Sequence, residues 1–123
     1  MPLKVYQYEK CDTCRRALKF LVAHGVAHTV VPIREQPPSR AELAAMLKVY
    51  GGEVRKLFNT AGQDYRRLNL KERLPAMNAA EAIDLLARNG NLVKRPLVVS
   101  AAGGLVGFRE DEWRRWLAGE GGR

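Results

Sequence analysis

The sequence has 123 residues, 46% hydrophobic and 28% charged, a size and composition typical of one compact globular domain. No stretch approaches the roughly 18 consecutive apolar residues of a membrane span, and the start of the chain lacks the apolar core of a secretory signal. We therefore expect a cytoplasmic protein without membrane contact. Lys and Arg number 21 against 13 Asp and Glu, a formal charge of +8 that favours anionic partners without selecting one.

The first third of the chain predicts a strand, a helix and a second strand. Residues 3–8 alternate apolar and polar side chains and favour a strand, and residues 13–24 show apolar positions at helical spacing up to Gly25. Residues 27–33 are rich in β-branched side chains and end before Pro37 and Pro38. The spacing is that of a β-α-β unit with a parallel crossover.

The two cysteines, Cys11 and Cys14, form a CxxC pair at the turn between the first strand and the helix. Two cysteines are too few for a secreted disulfide framework, so the pair indicates redox chemistry or half of a metal site. Cys11 precedes the helix, where free backbone N–H groups stabilise a thiolate, and Lys10, Arg15 and Arg16 add positive charge. Cys14, one turn into the helix, fits the resolving role.

Two other interpretations of the pair stay open. Both cysteines could be inert and reduced, with one of them packed in the core. A zinc site is less favoured because it needs four ligands, and His24 and His28 lie at the far end of the helix and beyond its turn. We assign no metal and no tightly bound cofactor.

The middle of the sequence predicts helices only. Ser39 and Glu42 form a capping box that opens a helix ending at Gly51, and Asn78 and Glu81 open a second one that ends near residues 89–90. Shorter helical pieces are predicted over residues 53–58 and 63–68.

The last third predicts a β-hairpin and a final helix. The predicted strands span residues 97–99 and 105–108, and residues 102–104 form the tight turn between them. A helix is predicted from residue 110, with Trp113 and Trp116 on its buried face. This order predicts an α/β, thioredoxin-like (glutaredoxin-like) fold with a mixed sheet. A helical insertion at about 39–90 separates the β-α-β unit from the β-hairpin-α unit, within a single domain over residues 1–118. We expect residues 119–123 to fray.

Arg95 and Pro96 form a second candidate constellation. In thioredoxin-like proteins the proline that opens the third strand is usually cis and faces the reactive cysteine. Lys94 and Arg95 directly before it favour anion binding over a proline that merely begins an edge strand. Arg109, after the second hairpin strand, is a further candidate cation at this end of the sheet, with a solvated charge as its alternative.

The sequence resembles the arsenate reductase-like family, which includes glutaredoxin-dependent arsenate reductases and the Spx-type transcriptional regulators of bacteria. The resemblance rests on YEKCDTCRRALKFL, LFNTAGQDYRRLNL, LVKRPLVV and VGFREDEW, in this order, within residues 3–117. It implies a nucleophile at Cys11, an oxyanion-binding Arg95, a cis bond before Pro96, and a role for Arg109 in the reductase pocket.

The sequence departs from the arsenate reductases at two positions. They carry a third arginine where this chain has Asn59, so Asn59 stands with Arg95, Pro96 and Arg109 among the candidate oxyanion-binding residues, and its neutral side chain predicts weak arsenate reduction. The well-known glutaredoxin-dependent enzymes use one cysteine and take the second thiol from glutathione, whereas Cys14 completes the CxxC found in the Spx branch.

Two functional hypotheses of different classes follow. The first is a thiol-disulfide oxidoreductase that acts on a small oxyanion or an oxidised thiol, with Cys14 or glutathione resolving the adduct and glutaredoxin or glutathione as electron donor. The second is a redox-sensing regulator that binds RNA polymerase, at the C-terminal domain of its α-subunit. Direct nucleic-acid binding is disfavoured because no helix concentrates basic residues and aromatics on one face.

Overall fold

The computed structural model describes residues 3–121. The chain packs as two compact units. The sheet unit comprises the described residues of Met1–Pro32 and Arg95–Arg123, and the helical unit comprises Ile33–Lys94.

The elements follow one another in the predicted order. The strands are β1 (Leu3–Gln7), β2 (His28–Pro32), β3 (Leu97–Ser100) and β4 (Gly103–Val106). The α-helices are α1 (Asp12–Ala23), α2 (Arg40–Val49), α3 (Gln63–Arg67), α4 (Leu70–Arg73), α5 (Ala79–Arg88) and α6 (Glu110–Trp116). Short 3-10 helices span Val54–Leu57, Leu74–Ala76 and Gly90–Leu92, and a π-helical turn spans Leu117–Gly121.

Within residues 3–121 the strands form one mixed sheet in the order β2-β1-β3-β4. β1 and β2 are parallel, as expected for strands joined by the crossover helix α1. β1 and β3 are antiparallel, with Tyr6 opposite Leu97, and β3 and β4 form the antiparallel hairpin. The end of β1, the start of β3 and the end of β4 therefore lie at the same end of the sheet.

The core of the sheet unit lies between the sheet and the helices α1 and α6. Apolar side chains from all three are buried together: Leu3, Val5, Ala17, Phe20, Leu21, Val98, Leu105 and Trp113. Phe20, Phe108 and Trp113 meet edge to face, with ring centroids 5.0 to 6.1 Å apart, an arrangement favoured by aromatic quadrupoles. The indole N–H of Trp113 donates to the Gly107 carbonyl at 3.0 Å, so the buried ring is also satisfied.

Both predicted capping boxes are present in the helical unit, and these predictions are therefore confirmed. The side chains of Ser39 and Asn78 accept the backbone N–H groups of Glu42 and Glu81, and each glutamate accepts its cap's N–H in return. The piece predicted over 53–58 is a 3-10 helix, and that over 63–68 is α3. The segments Leu70–Arg73 and Leu74–Ala76 are additional helical turns that the sequence analysis did not predict.

The hairpin differs from the prediction in its register. The turn lies at residues 101–102 rather than 102–104, and β4 begins at Gly103 and ends at Val106. Ser100 pairs with Gly103, and its side-chain oxygen accepts the N–H of Ala102 at 3.1 Å, which stabilises the tighter turn. Gly103 and Gly104 are thus strand residues, and the strand predicted over 105–108 lies two residues too late.

The end of the chain is helical as far as Gly121. Of the tail predicted to fray over 119–123, residues 122 and 123 lie outside the described part of the chain. In the part that is described, no helix has both the length and the apolar character needed to cross a bilayer.

Candidate active site

The pairing of β1 with β3 brings the turn that carries the cysteines next to Arg95. The antiparallel register places Tyr6 opposite Leu97, and continuing it by two residues places Tyr8 opposite Arg95. The guanidinium carbon of Arg95 lies 5.1 Å from the centre of the Tyr8 ring. The Arg95–Pro96 peptide bond is cis, as the resemblance implies. The backbone carbonyl of Pro96 accepts the N–H of Gly107 at 2.8 Å, which joins the start of β3 to the end of β4.

Cys11 is the N-cap residue of α1. Its backbone is extended, and its Sγ accepts the backbone N–H of Cys14 at 3.3 Å, in place of the oxygen that serines or aspartates supply at this position. Its own N–H donates to the carbonyl of Tyr8 at 3.0 Å, which closes the turn between β1 and α1. The side chain is partly exposed. A thiolate here receives both a hydrogen bond and the positive end of the helix dipole.

Cys14 lies one turn into α1 from Cys11, fully buried on the inner face of the helix. Its thiol has a pKa raised from the ordinary value of 9.0 to about 12, chiefly by burial and also by the side chain and charge of Cys11. Two smaller effects lower the pKa of Cys14 and offset part of this rise: a hydrogen bond with the Tyr8 backbone and the positive charge of Arg95. The two cysteines are not joined by a disulfide, and the raised pKa keeps Cys14 protonated at neutral pH.

Arg95 carries an unpaired hydrogen-bond donor. Its Nη1 atom is buried and has no hydrogen-bond partner among the described residues. Buried polar groups in proteins are nearly always paired, so this guanidinium, whose charge acts on Cys14, keeps hydrogen-bonding capacity that no described residue uses. The positive charge makes an anion the best acceptor.

Two of the three cations predicted to support Cys11, Arg15 and Arg16, have a carboxylate partner of their own. Arg15 and Arg16 lie 3.7 and 3.5 Å from the carboxylate of Asp12, and Arg15 also donates to the carbonyl of Glu9 at 3.1 Å. Their charges are therefore shared with Asp12 in the first turn of α1 rather than directed at Cys11 alone. Exposed pairs of this kind contribute little to stability.

Arg109 is the N-cap residue of α6 and is exposed. Phe108, immediately before it, packs against Trp113, and the Arg109 carbonyl accepts the N–H of Trp113 at 2.9 Å. The backbone of Arg109 is thus held at the end of β4, the end of the sheet where β3 begins. No carboxylate of the described residues pairs with its guanidinium. Its role as a substrate cation stays a prediction.

Asn59 belongs to the helical unit. Its backbone N–H donates to Leu92 at 2.7 Å, and its side-chain amide donates to the carbonyl of Asn91 at 3.4 Å. The segment that carries it therefore pairs with residues 91–93, including a bridge between Phe58 and Val93. Its predicted role toward an oxyanion stays a prediction.

Tyr8 contacts both cysteines and Arg95, and the sequence alone does not indicate this. In the sequence Tyr8 is the last residue of the first predicted strand. Its contact with Arg95 cannot be seen there, because Arg95 precedes a strand that begins much later in the chain. Only the register between β1 and β3 shows that Tyr8 and Arg95 lie close together. Among residues 3–121, no three His, Cys, Asp or Glu side chains cluster in a way that would hold a metal ion.

The fold and this site define a class: a thioredoxin-like protein with a CxxC pair at the N-terminus of its first helix and an arginine before a cis proline. The model of the ArsC family matches residues 6–116, and the chain belongs to that family.

The chain is similar to proteins with different names within the family. It is 47% identical to the uncharacterized protein YusI of Bacillus subtilis, over 92% of this chain and 96% of YusI. It is 33% identical to an arsenate reductase of Rhizobium meliloti, over 84% and 72% of the two chains. It is 30% identical to the global transcriptional regulator Spx of Streptococcus pyogenes, over 88% and 79%.

Solved structures agree with the fold. An ArsC family related protein from Bacteroides fragilis superimposes with a TM-score of 0.88 at 43% identity, covering 94% of this chain and 97% of that one. A possible arsenate reductase from Streptococcus mutans has a TM-score of 0.84 at 37% identity, covering 91% and 97%. The thioredoxin-like prediction is therefore confirmed.

Proposed function

We propose that this protein is a cytoplasmic thiol-disulfide oxidoreductase whose nucleophile is Cys11. The observation that carries the proposal is the Cys11 sulfur at the N-cap of α1, which accepts the N–H of Cys14. A sulfur held in this way is stabilised as a thiolate, and it is partly exposed, so it can reach a substrate. Similarity to an arsenate reductase supports the enzymatic interpretation.

The reaction on an oxidised thiol proceeds in two exchanges. The Cys11 thiolate attacks one sulfur of a substrate disulfide, a mixed disulfide forms, and the other sulfur leaves as a thiolate. A second thiol, from Cys14 or glutathione, then loses its proton and attacks the Cys11 sulfur, which releases the reduced substrate. The two electrons come from the pair of thiols, and glutathione or glutaredoxin returns the protein to its dithiol state.

The reaction on an oxyanion such as arsenate uses the same residues. Cys11 would displace one arsenate oxygen as water and form a sulfur–arsenic bond. Attack of a second thiol on the Cys11 sulfur then breaks that bond, leaves a disulfide and passes two electrons to arsenic, which is released as arsenite. Arg95 and Arg109 would hold the negative charge of the oxyanion.

The raised pKa of Cys14 favours an ordered sequence. Two of the effects that raise it, a hydrogen bond and the charge of Cys11, come from the free Cys11 side chain. Burial, the largest cause of the raised pKa of Cys14, is unchanged by an adduct at Cys11, whereas the contributions of the free Cys11 side chain are removed. An adduct at Cys11 therefore lowers the pKa of Cys14 only in part, and the Cys14 thiol still has to lose a proton before it attacks.

A turnover assay tests the proposal directly. The purified protein is assayed with glutathione, glutaredoxin and either a low-molecular-weight disulfide or arsenate, beside Cys11→Ser and Cys14→Ser. We expect Cys11→Ser to abolish turnover and Cys14→Ser to retain activity only where glutathione resolves the adduct. Equal activity of Cys11→Ser and the parent protein would refute the proposal.

A second candidate is a redox-sensing regulator, favoured by the CxxC pair together with the similarity to Spx. In that case the oxidation state of Cys11 and Cys14 would control binding to RNA polymerase, at the C-terminal domain of its α-subunit. Retention of purified polymerase by the oxidised protein but not by Cys14→Ser, with no turnover of any substrate, would favour the regulator over the enzyme.

A further inference from the structure

Tyr8 contacts three of the residues that carry the proposed chemistry, Cys11, Cys14 and Arg95. Its backbone carbonyl accepts the N–H of Cys11 at 3.0 Å, and its backbone is hydrogen-bonded to the Cys14 thiol. Its ring lies 5.1 Å from the guanidinium carbon of Arg95. The backbone contacts are available to any residue at position 8, whereas the ring contact requires an aromatic side chain.

The kind of group that holds the Arg95 side chain determines whether its guanidinium N–H groups can still donate hydrogen bonds to a ligand. A carboxylate partner would occupy the in-plane N–H groups and neutralise the charge. No carboxylate of the described residues pairs with Arg95. An aromatic ring attracts the cation through its quadrupole and uses none of the strongly directed N–H bonds that a carboxylate would require. The buried Nη1 atom without an acceptor fits this arrangement.

We propose that Tyr8 is a positioning residue, whose ring holds the Arg95 guanidinium beside Cys11 with its N–H groups free for an anionic group of the substrate. The inference rests on the proposed function, since it assigns the substrate a negative charge next to the atom that Cys11 attacks. Substrates with a carboxylate or an oxyanion beside the reacting centre are therefore preferred over neutral ones.

Two alkylating reagents that differ in charge test this without any turnover. Iodoacetate carries a carboxylate next to the carbon that the thiolate attacks, and iodoacetamide carries a neutral amide at the same place. The ratio of their rates at Cys11, measured by mass spectrometry, reports how well the site receives an anion. The parent protein is compared with Tyr8→Leu, Tyr8→Phe and Arg95→Gln.

We expect Arg95→Gln to lower the iodoacetate-to-iodoacetamide ratio and Tyr8→Leu to lower it by about fivefold, the scale of a partly buried cation–π contact. Tyr8→Phe keeps the ring and should keep the ratio within a factor of about two. The rate with iodoacetamide alone should change little in Tyr8→Leu, because the backbone contacts of residue 8 to both cysteines remain. A merely structural role of Tyr8 would alter both rates together.

A parent-like ratio in Tyr8→Leu, with a lowered ratio in Arg95→Gln, would overturn the role of Tyr8. Should Tyr8→Leu fail to fold, as judged by circular dichroism, Tyr8→Met replaces it with a flexible side chain of similar volume and the same expectation. An unchanged ratio in every variant would show that no anion is held at this place. The proposed function stands or falls separately, with the turnover of Cys11→Ser.

Discussion

The Sγ atom of Cys11 accepts the backbone N–H of Cys14 at 3.3 Å, so the second cysteine of the pair helps to stabilise the first. The same turn buries the Cys14 side chain completely, while that of Cys11 is partly exposed. One helical turn thereby gives two chemically identical side chains different surroundings.

We predict that Cys11 is alkylated much faster than Cys14 near neutral pH. Cys11 is partly exposed and its sulfur accepts a backbone N–H at the start of α1, whereas burial raises the pKa of the Cys14 thiol to about 12. Brief treatment with iodoacetamide followed by peptide mass spectrometry measures both sites in one sample. Equal labelling, or faster labelling of Cys14, would reverse the assigned roles.

Mild oxidation should join Cys11 and Cys14 in an intramolecular disulfide. Residues three apart at the start of a helix have Cα atoms within the range of about 4.4–6.8 Å that a disulfide bridges. Intact-protein mass spectrometry should show the loss of two hydrogens, and Cys14→Ala should not show it. If peroxide yields only a glutathione adduct or an over-oxidised Cys11, the resolving thiol comes from glutathione.

Stability should fall at alkaline pH because of Cys14. The folded protein keeps the Cys14 proton up to a pKa of about 12, while the unfolded chain releases it near 9.0. The unfolded state therefore binds fewer protons in this window, and the free energy of unfolding falls by up to about 1.4 kcal/mol per pH unit as the pH rises. Urea unfolding from about pH 8 to about pH 10.5 measures the decline on this scale.

The matched control for the pH dependence is Cys14→Ala. Its free energy of unfolding should be lower than that of the parent near neutral pH, because the side chain is lost from the core, and the gap to the parent should narrow as the pH rises. A gap that stays constant over the whole range would contradict a raised pKa at Cys14.

We predict weak arsenate reduction by the unaltered protein, and a gain from Asn59→Arg. The resemblance aligns Asn59 with an arginine of the arsenate reductases, and a neutral amide binds a dianion with a contact about half as strong as that of a guanidinium. Asn59→Arg should raise arsenate affinity or turnover by about tenfold, the scale of a hydrogen bond to a charged group. A coupled glutaredoxin assay measures both.

The comparison for arsenate includes Arg95→Lys, which keeps a positive charge and loses the planar fork of donors. Arsenate turnover should be lower in Arg95→Lys than in the parent protein, and lower in the double variant Asn59→Arg, Arg95→Lys than in Asn59→Arg alone. Efficient arsenate turnover by the parent, unchanged by Asn59→Arg, would mean that the third cation is not needed.

Gly90 lies in close contact with the backbone of Ile33 in the helical unit. A Cβ atom built at this position overlaps the backbone carbonyl of Ile33, which cannot move as a flexible side-chain end would. Gly90→Ala should therefore lower the free energy of unfolding by about 1–3 kcal/mol, the usual effect of overpacking. Gly119→Ala is the matched control, since nothing lies within 4 Å of its added Cβ. Similar unfolding midpoints for the two variants would contradict the close approach.

Local sequence signals determined the main helices of this protein and the order in which its strands and helices occur. The helices at Ser39 and Asn78 were predicted correctly because a capping box is satisfied entirely by residues three apart. The position of Cys11 at the start of α1 was likewise predictable, because the strand, the CxxC pair and the apolar stripe of the helix are contiguous in the chain.

Only the tertiary structure decided which residues meet. The hairpin turn lies at residues 101–102 because pairing along β3 and β4 selects the register, and two glycines leave little side-chain pattern to reveal it. The contact of Tyr8 with Arg95 depends on the antiparallel register of β1 and β3, which joins segments far apart in the chain. Long-range strand pairing is set by the packing of the whole core, and no local pattern contains it.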